Sequence, residues 1–183
     1  YNNKLPTITH NEIHIEYTAH PDACFHLWDG SVVPVTKLLQ GKRAGRLLPV
    51  APADRRVTVK VIDKQSRLPV PVKLHIHGES DEYLPTVNHH RRPAPRWFED
   101  LGGEITLKEI HHAAYIPGEA DFNLPLGRVY IEVSKGFEVK PVHKVVRVSA
   151  RTKTITIEIE KVLPWRENGW VTADTHVHFL PPS

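Results

Sequence analysis

Near the carboxyl end of the chain an Asp and two His stand at alternate positions, Asp174, His176 and His178, within "VTADTHVHF". On an extended strand alternate residues project to one side about 6.6 Å apart, so the three side chains share a face. Two imidazoles there can converge on one ion about 2.0–2.1 Å from each. Neutral imidazole suits zinc, manganese, iron or nickel, and Asp174 serves either as a ligand or as the carboxylate that orients one. Spacing alone is a weak signal, because 13 histidines in 183 residues make a His-x-His pair expected about once by chance. His75/His77 and His176/His178 both have it. Requiring an Asp two positions earlier lowers the expectation to about one in 25, and only the second pair meets it.

A hydrolytic zinc needs about three protein ligands and an open water position, and a two-metal centre needs more. The remaining donors are expected from His89, His90, His111, His112, Glu79 or Asp81, or from polypeptide beyond Ser183. His75 and His77 share a strand face with Lys73, and with His89/His90 or His111/His112 they form a second, self-contained metal-site candidate.

The elements that must carry these residues are short strands. In "VTVKVID" Val57, Val59 and Val61 alternate with Thr58 and Lys60, and in "VPVKLHIHG" Val72, Leu74 and Ile76 alternate with Lys73, His75 and His77. "DFNLPLGRVYIEVSKGFE" reads as strand, Pro-Leu-Gly turn and strand, with Val129, Ile131 and Val133 inward. "HKVVRVSA" and "TKTITIEIEKV" complete the set, the latter with Ile155, Ile157 and Ile159 on one side. No segment outside the middle holds a helical period over ten residues, so the fold class expected is mainly β, an antiparallel β-sandwich over residues 56–162. The 16 prolines suit turns and edge strands. Residues 1–55, with a "KLLQGKRAGRLLP" stretch that is a short helix or a loop, are expected to be an extension or a partial preceding unit. Residues 79–114 are expected to be a long insertion between strands, of a length that usually has a task. Within it His89, His90, Arg91 and Trp97 are the candidate pocket-mouth or ligand contacts.

The stretch "WRENGWVTADTHVHF" resembles the opening of the catalytic domain in carbaryl-hydrolase-like (CehA/McbA-type) metallohydrolases, which belong with the PHP and amidohydrolase-type barrels. The resemblance implies that Asp-x-His-x-His ends the first barrel strand, that His176 and His178 are metal ligands, and that Asp174 is a site residue. The region "VTVKVIDKQSRLPVPVKLHIHG…YIPGEADFNLPLGRVYIEVSKGFE" is similar to transthyretin-like or carboxypeptidase-regulatory β-sandwich domains, which often accompany catalytic domains. On that reading residues 163–183 are a linker and the first strand of an α/β barrel. The barrel's other strands are missing here, and they come in cis or from another chain. Active sites of such barrels draw on several strands, so this chain alone is expected to be inactive.

Composition bounds the rest. The formal charge of +3 arises from 24 Lys and Arg against 21 Asp and Glu, interspersed along the chain, which argues against a nucleic-acid partner. No apolar run approaches the roughly 20 residues of a membrane helix, and no leader opens the chain. A single Cys, Cys24, rules out an intrachain disulfide, which favours the cytoplasm and leaves secretion open. With no Met, and Tyr1 first, the chain is expected to be a piece of a longer polypeptide. Nothing in spacing suggests a Ser-His-Asp triad, a phosphate loop or a Cys nucleophile.

The function expected is that of an accessory sandwich plus first ligand strand of a metal-dependent hydrolase, with zinc or manganese activating water against an ester, amide, carbamate or phosphoester. Its partners are the catalytic barrel and a small-molecule substrate, and an oligomer is compatible with the sequence. The alternative is a non-catalytic ligand- or partner-binding module, in which Tyr83, Trp97, Phe98 and the arginines of the insertion make the contact.

Overall fold

A computed structural model describes residue 15, residues 20–87, the strand at 104–107 and residues 111–173. Two short strands, β1 (Cys24–His26) and β2 (Val32–Pro34), form an antiparallel hairpin that leads directly into a four-residue helix, α1 (Val35–Leu38). Pro34 sets the extended entry to that helix, and the left-handed Gly41 follows its end, so "KLLQGKRAG" closes after one turn. Val33, Val35 and Leu38 are buried there.

The main body starts at β3 (Ala53–Asp63), followed by β4 (Val72–His77), β5 (Glu104–Leu107), β6 (His111–Ile116), β7 (Glu119–Pro125), β8 (Gly127–Ser134), β9 (Val142–Val148) and β10 (Thr154–Ile159). These make a three-stranded sheet in the order β10-β3-β7 and a five-stranded sheet in the order β5-β6-β4-β8-β9. One continuous core lies between them. Val57, Val59 and Val61 of β3, Phe122 and Leu124 of β7 and Ile155, Ile157 and Ile159 of β10 face Val72, Leu74 and Ile76 of β4 and Val129, Ile131 and Val133 of β8. The protein is thus mainly β, built of two sheets closed on a shared apolar interior. Each of these side chains gains about 1.5–3 kcal/mol from leaving water, which is why period-two alternation decided where the strands form.

Three features differ from the sequence expectation. First, β10 runs parallel to β3, pairing from Thr154↔Thr58 to Ile159↔Asp63, while the other described strand pairings are antiparallel. Parallel neighbours need a long connection, and here the intervening sandwich supplies it. The crossing from one sheet to the other follows β9, at a turn where Ser149 and Thr152 bond and the Thr58 amide donates to Lys153 O at 2.9 Å. Second, residues 79–114, expected as a loop, supply strand β5 and the start of β6. β6 lies inside the sheet between β5 and β4. "HHAAYI" is poor in β-branched residues, so its strand character comes from pairing on both sides rather than from propensity. Third, the strand read from "VTVKVID" begins earlier, at Ala53, with a bulge between Ala53 and Arg55.

The Pro-Leu-Gly turn falls where the sequence placed it, with Gly127 at φ +114°. Gly118, between β6 and β7, has φ +120°, and a Cβ on it would lie 2.7 Å from the Val70 amide nitrogen. Its carbonyl accepts from the Val61 amide at 2.7 Å, so this turn is tied to the core strand and only glycine fits.

Candidate functional site

Asp174, His176 and His178 lie outside the described residues, as do His89, His90, Arg91 and Trp97 of the expected pocket mouth. His111 and His112 open strand β6, in register with Leu107 and Thr106 of β5. The chemistry-bearing residues that the structure does bring together are on the outer side of the five-stranded sheet.

β4 is the centre of that sheet, so its outward positions face neighbours on both flanks. Lys73 stands opposite Ser134, His75 opposite Glu132 and His77 opposite Tyr130. The chain after β4 turns back, and Tyr83 bridges to His77 through the backbone. This register sets up a row of rings. Tyr83 stacks on His75 with centres 5.7 Å apart, His75 is 5.5 Å from His77, and His77 lies on Tyr130 at 4.8 Å with planes within 4° of parallel. Glu132 also approaches His143 of β9, Oε2 to Nδ1, at 3.8 Å. The sequence reading placed His75 and His77 on one face but missed Tyr130. Its outward position was legible from the inward Val129 and Ile131, whereas its partner depended on cross-strand register.

The turn after His77 supplies the acids. The Gly78 amide donates to Glu82 O at 3.0 Å and the Asp81 amide to Gly78 O at 3.2 Å, which leaves Asp81 at φ +66° with its carboxylate 3.2 Å from His77 Nδ1. Glu79 turns the other way. Its Oε1 accepts from the Arg128 backbone N–H at 3.1 Å and from Nε at 3.0 Å, and these bonds from Arg128, the side-chain one foremost, hold the Glu79 pKa below the usual carboxylate range. Glu79 is therefore a clasp between the ends of adjacent strands and is turned away from His75 and His77. Among the described residues no group of three or more His, Cys, Asp or Glu converges on a point that could hold a metal ion.

Two further features carry charge. On the three-stranded sheet Asp121 accepts from the Thr58 hydroxyl at 2.7 Å and from Arg56 Nη2 at 2.8 Å, and its pKa is lowered by the Thr58 bond first and Arg56 second. Near the hairpin an open cleft of about 400 Å³ is lined by Asp29, Lys37, Arg43 and Arg46, and the Arg46 guanidinium sits 5.3 Å over the ring of the exposed Trp28. The sequence reading gave this cleft no role; the signal was the run of bases in "KLLQGKRAGR".

Past β10 the chain is pinned rather than free. Lys161 bridges to Val139, and the amides of Val162 and Leu163 both donate to Glu138 O, at 2.8 and 3.1 Å. The Glu138 carboxylate accepts from the Arg166 N–H at 3.1 Å, which chiefly depresses its pKa, and the Trp165 ring lies 6.1 Å from that of Phe137. The Trp170 amide then closes the turn on Trp165 O at 2.9 Å. No protein-family model, curated protein or solved structure matches this chain. No helix among the described residues is long and apolar enough to cross a membrane.

Proposed function

We propose that this chain is the accessory β-sandwich and first ligand strand of a metal-dependent hydrolase of the carbaryl-hydrolase-like (CehA/McbA) type. The sandwich is of the transthyretin-like or carboxypeptidase-regulatory kind, and residues 163–183 lead into an α/β barrel. The observation that carries this reading is the pinned exit from the sandwich. Glu138 takes three backbone N–H groups of residues 162–166, and Phe137 backs Trp165, so the chain arrives four residues before Asp174 on a fixed footing. A flexible tether has no need of such a seat, whereas a domain that must present a ligand strand to a neighbouring body does. Trp170 and Val171, 69% and 84% exposed, are apolar surface that such a body covers.

The donor set fits a divalent ion of the zinc or manganese class, with imidazole nitrogen from His176 and His178 and carboxylate oxygen from Asp174. When bound, the ion supplies activation of water towards an ester, amide, carbamate or phosphoester. In a chain extended past Ser183, metal analysis is expected to show tight stoichiometric divalent metal, with an equivalent lost on His176→Ala plus His178→Ala. Unchanged stoichiometry in that double variant overturns the reading.

A ligand-binding module is the second reading. The cleft at Lys37, Arg43 and Arg46 favours it, since three cations against Asp29 suit an anionic ligand.

A further inference from the structure

On the outer side of β4 two imidazoles stand next to one another. Alternate strand positions are about 6.6 Å apart, yet the ring centres of His75 and His77 are 5.5 Å apart, so the rings lean together. An ion about 2.0–2.1 Å from one nitrogen of each ring sits about 3.2 Å from each ring centre. At a tetrahedral angle that sets the two centres roughly 5 Å apart. The observed spacing of 5.5 Å is close to that separation.

The surroundings of His77 also fix its proton. Nδ1 faces two groups that can only accept, Gly78 O at 2.9 Å and Asp81 Oδ1 at 3.2 Å. A neutral ring accordingly carries its hydrogen on Nδ1 and its lone pair on Nε2. A carboxylate behind an imidazole in this way fixes tautomer and orientation, the arrangement found behind metal-ligating histidines. The tight turn after His77, with Asp81 at φ +66°, brings this carboxylate back to the ring. Tyr130 stacked on His77 and Tyr83 stacked on His75 flank the pair. Glu132 places a carboxylate across from His75.

We propose that His75 and His77 form a two-imidazole site for a divalent transition-metal ion of the zinc or nickel class, with water in the remaining positions and Asp81 as the positioning carboxylate. It is a different site from the one at Asp174, His176 and His178 and does not depend on it. Two protein donors hold an ion more weakly than the three or four of a structural zinc, so the site is expected to exchange its metal readily.

The test is calorimetric titration with Zn²⁺ and with Ni²⁺ of the full chain carrying His176→Ala and His178→Ala, which silences the other pair. Binding near one equivalent is expected. It should be lost on adding His77→Ala or His75→Ala, and weakened about tenfold by Asp81→Gly, which suits the left-handed backbone while removing the carboxylate. A second readout needs no change at these positions: Ni²⁺ should broaden the imidazole proton resonances of His75 and His77 before those of the other histidines. The proposal is overturned if the chain lacking His176 and His178 takes up neither metal, if uptake survives the combined loss of His75 and His77, or if other histidines broaden first. Those outcomes leave the hydrolase reading untouched, because it is judged on the extended chain and on His176 and His178 alone.

Discussion

Val72, Leu74 and Ile76 on the inner side of β4 are buried by strands of both sheets, whereas Lys73, His75 and His77 on its outer side stay half-exposed among rings and carboxylates. The same six residues thus obey two sets of rules. Inside, any apolar side chain of the right volume satisfies a non-directional demand for burial. Outside, each group is where it is because a particular partner, Tyr130 or Asp81, meets it at a definite distance. The inner side carries the stability and the outer side is left available for chemistry.

The sharpest way to break that contrast is to truncate each side in turn. Leu74→Ala, at a residue 2% exposed, is expected to cost about 2–5 kcal/mol in denaturant unfolding. His77→Ala, two bonds of modest worth on an open face, is expected to cost about 1 kcal/mol. Equal losses at the two positions would mean that the outer face is core. Next comes the turn that holds the inner strands in register. Gly118→Ala sets a methyl against the Val70 amide at a φ of +120°, and about 1–3 kcal/mol of destabilisation is expected in the same measurement.

The smallest effect concerns the exposed carboxylates. Asp121, Glu79 and Asp63 have lowered pKa values, caused chiefly by the Thr58 hydroxyl, the Arg128 guanidinium and the Ser66 amide respectively. The folded state therefore binds fewer protons than the unfolded one. The stability they confer is present in full above the ordinary carboxylate range and drains away from about pH 4 downward, as pH falls through the depressed folded values. Thermal unfolding followed from pH 6 to pH 2 should show a shallower acid decline in Asp121→Asn than in the parent chain, and an identical slope would mean that Asp121 contributes nothing to that decline.

Most of the main sandwich was legible because burial writes itself into sequence as alternation. β3, β4, β7, β8, β9 and β10 each show an apolar residue at every second position or close to it. β6 was not legible, since Ala113 and Ala114 are both buried and carry no strand preference, so their place depends on β4 and β5 alongside. The parallel pairing of β10 with β3 was hidden for the same reason: pairing across ninety residues has no local signal. The outer site was half legible. Period two put His75 and His77 together, but Tyr83, Tyr130 and Asp81 reach them through a turn and a register that only the folded chain defines.

The side-by-side run of β3 and β10 has a mechanical consequence. Because the two strands point the same way, the chain enters this pair at one end, at Ala53, and leaves it at the other, at Ile159. Tension transmitted along the polypeptide loads their six paired positions in shear, all at once, instead of unzipping them singly. The domain is wired as a clamp in the line of pull, able to keep whatever precedes it and whatever follows it at a set separation.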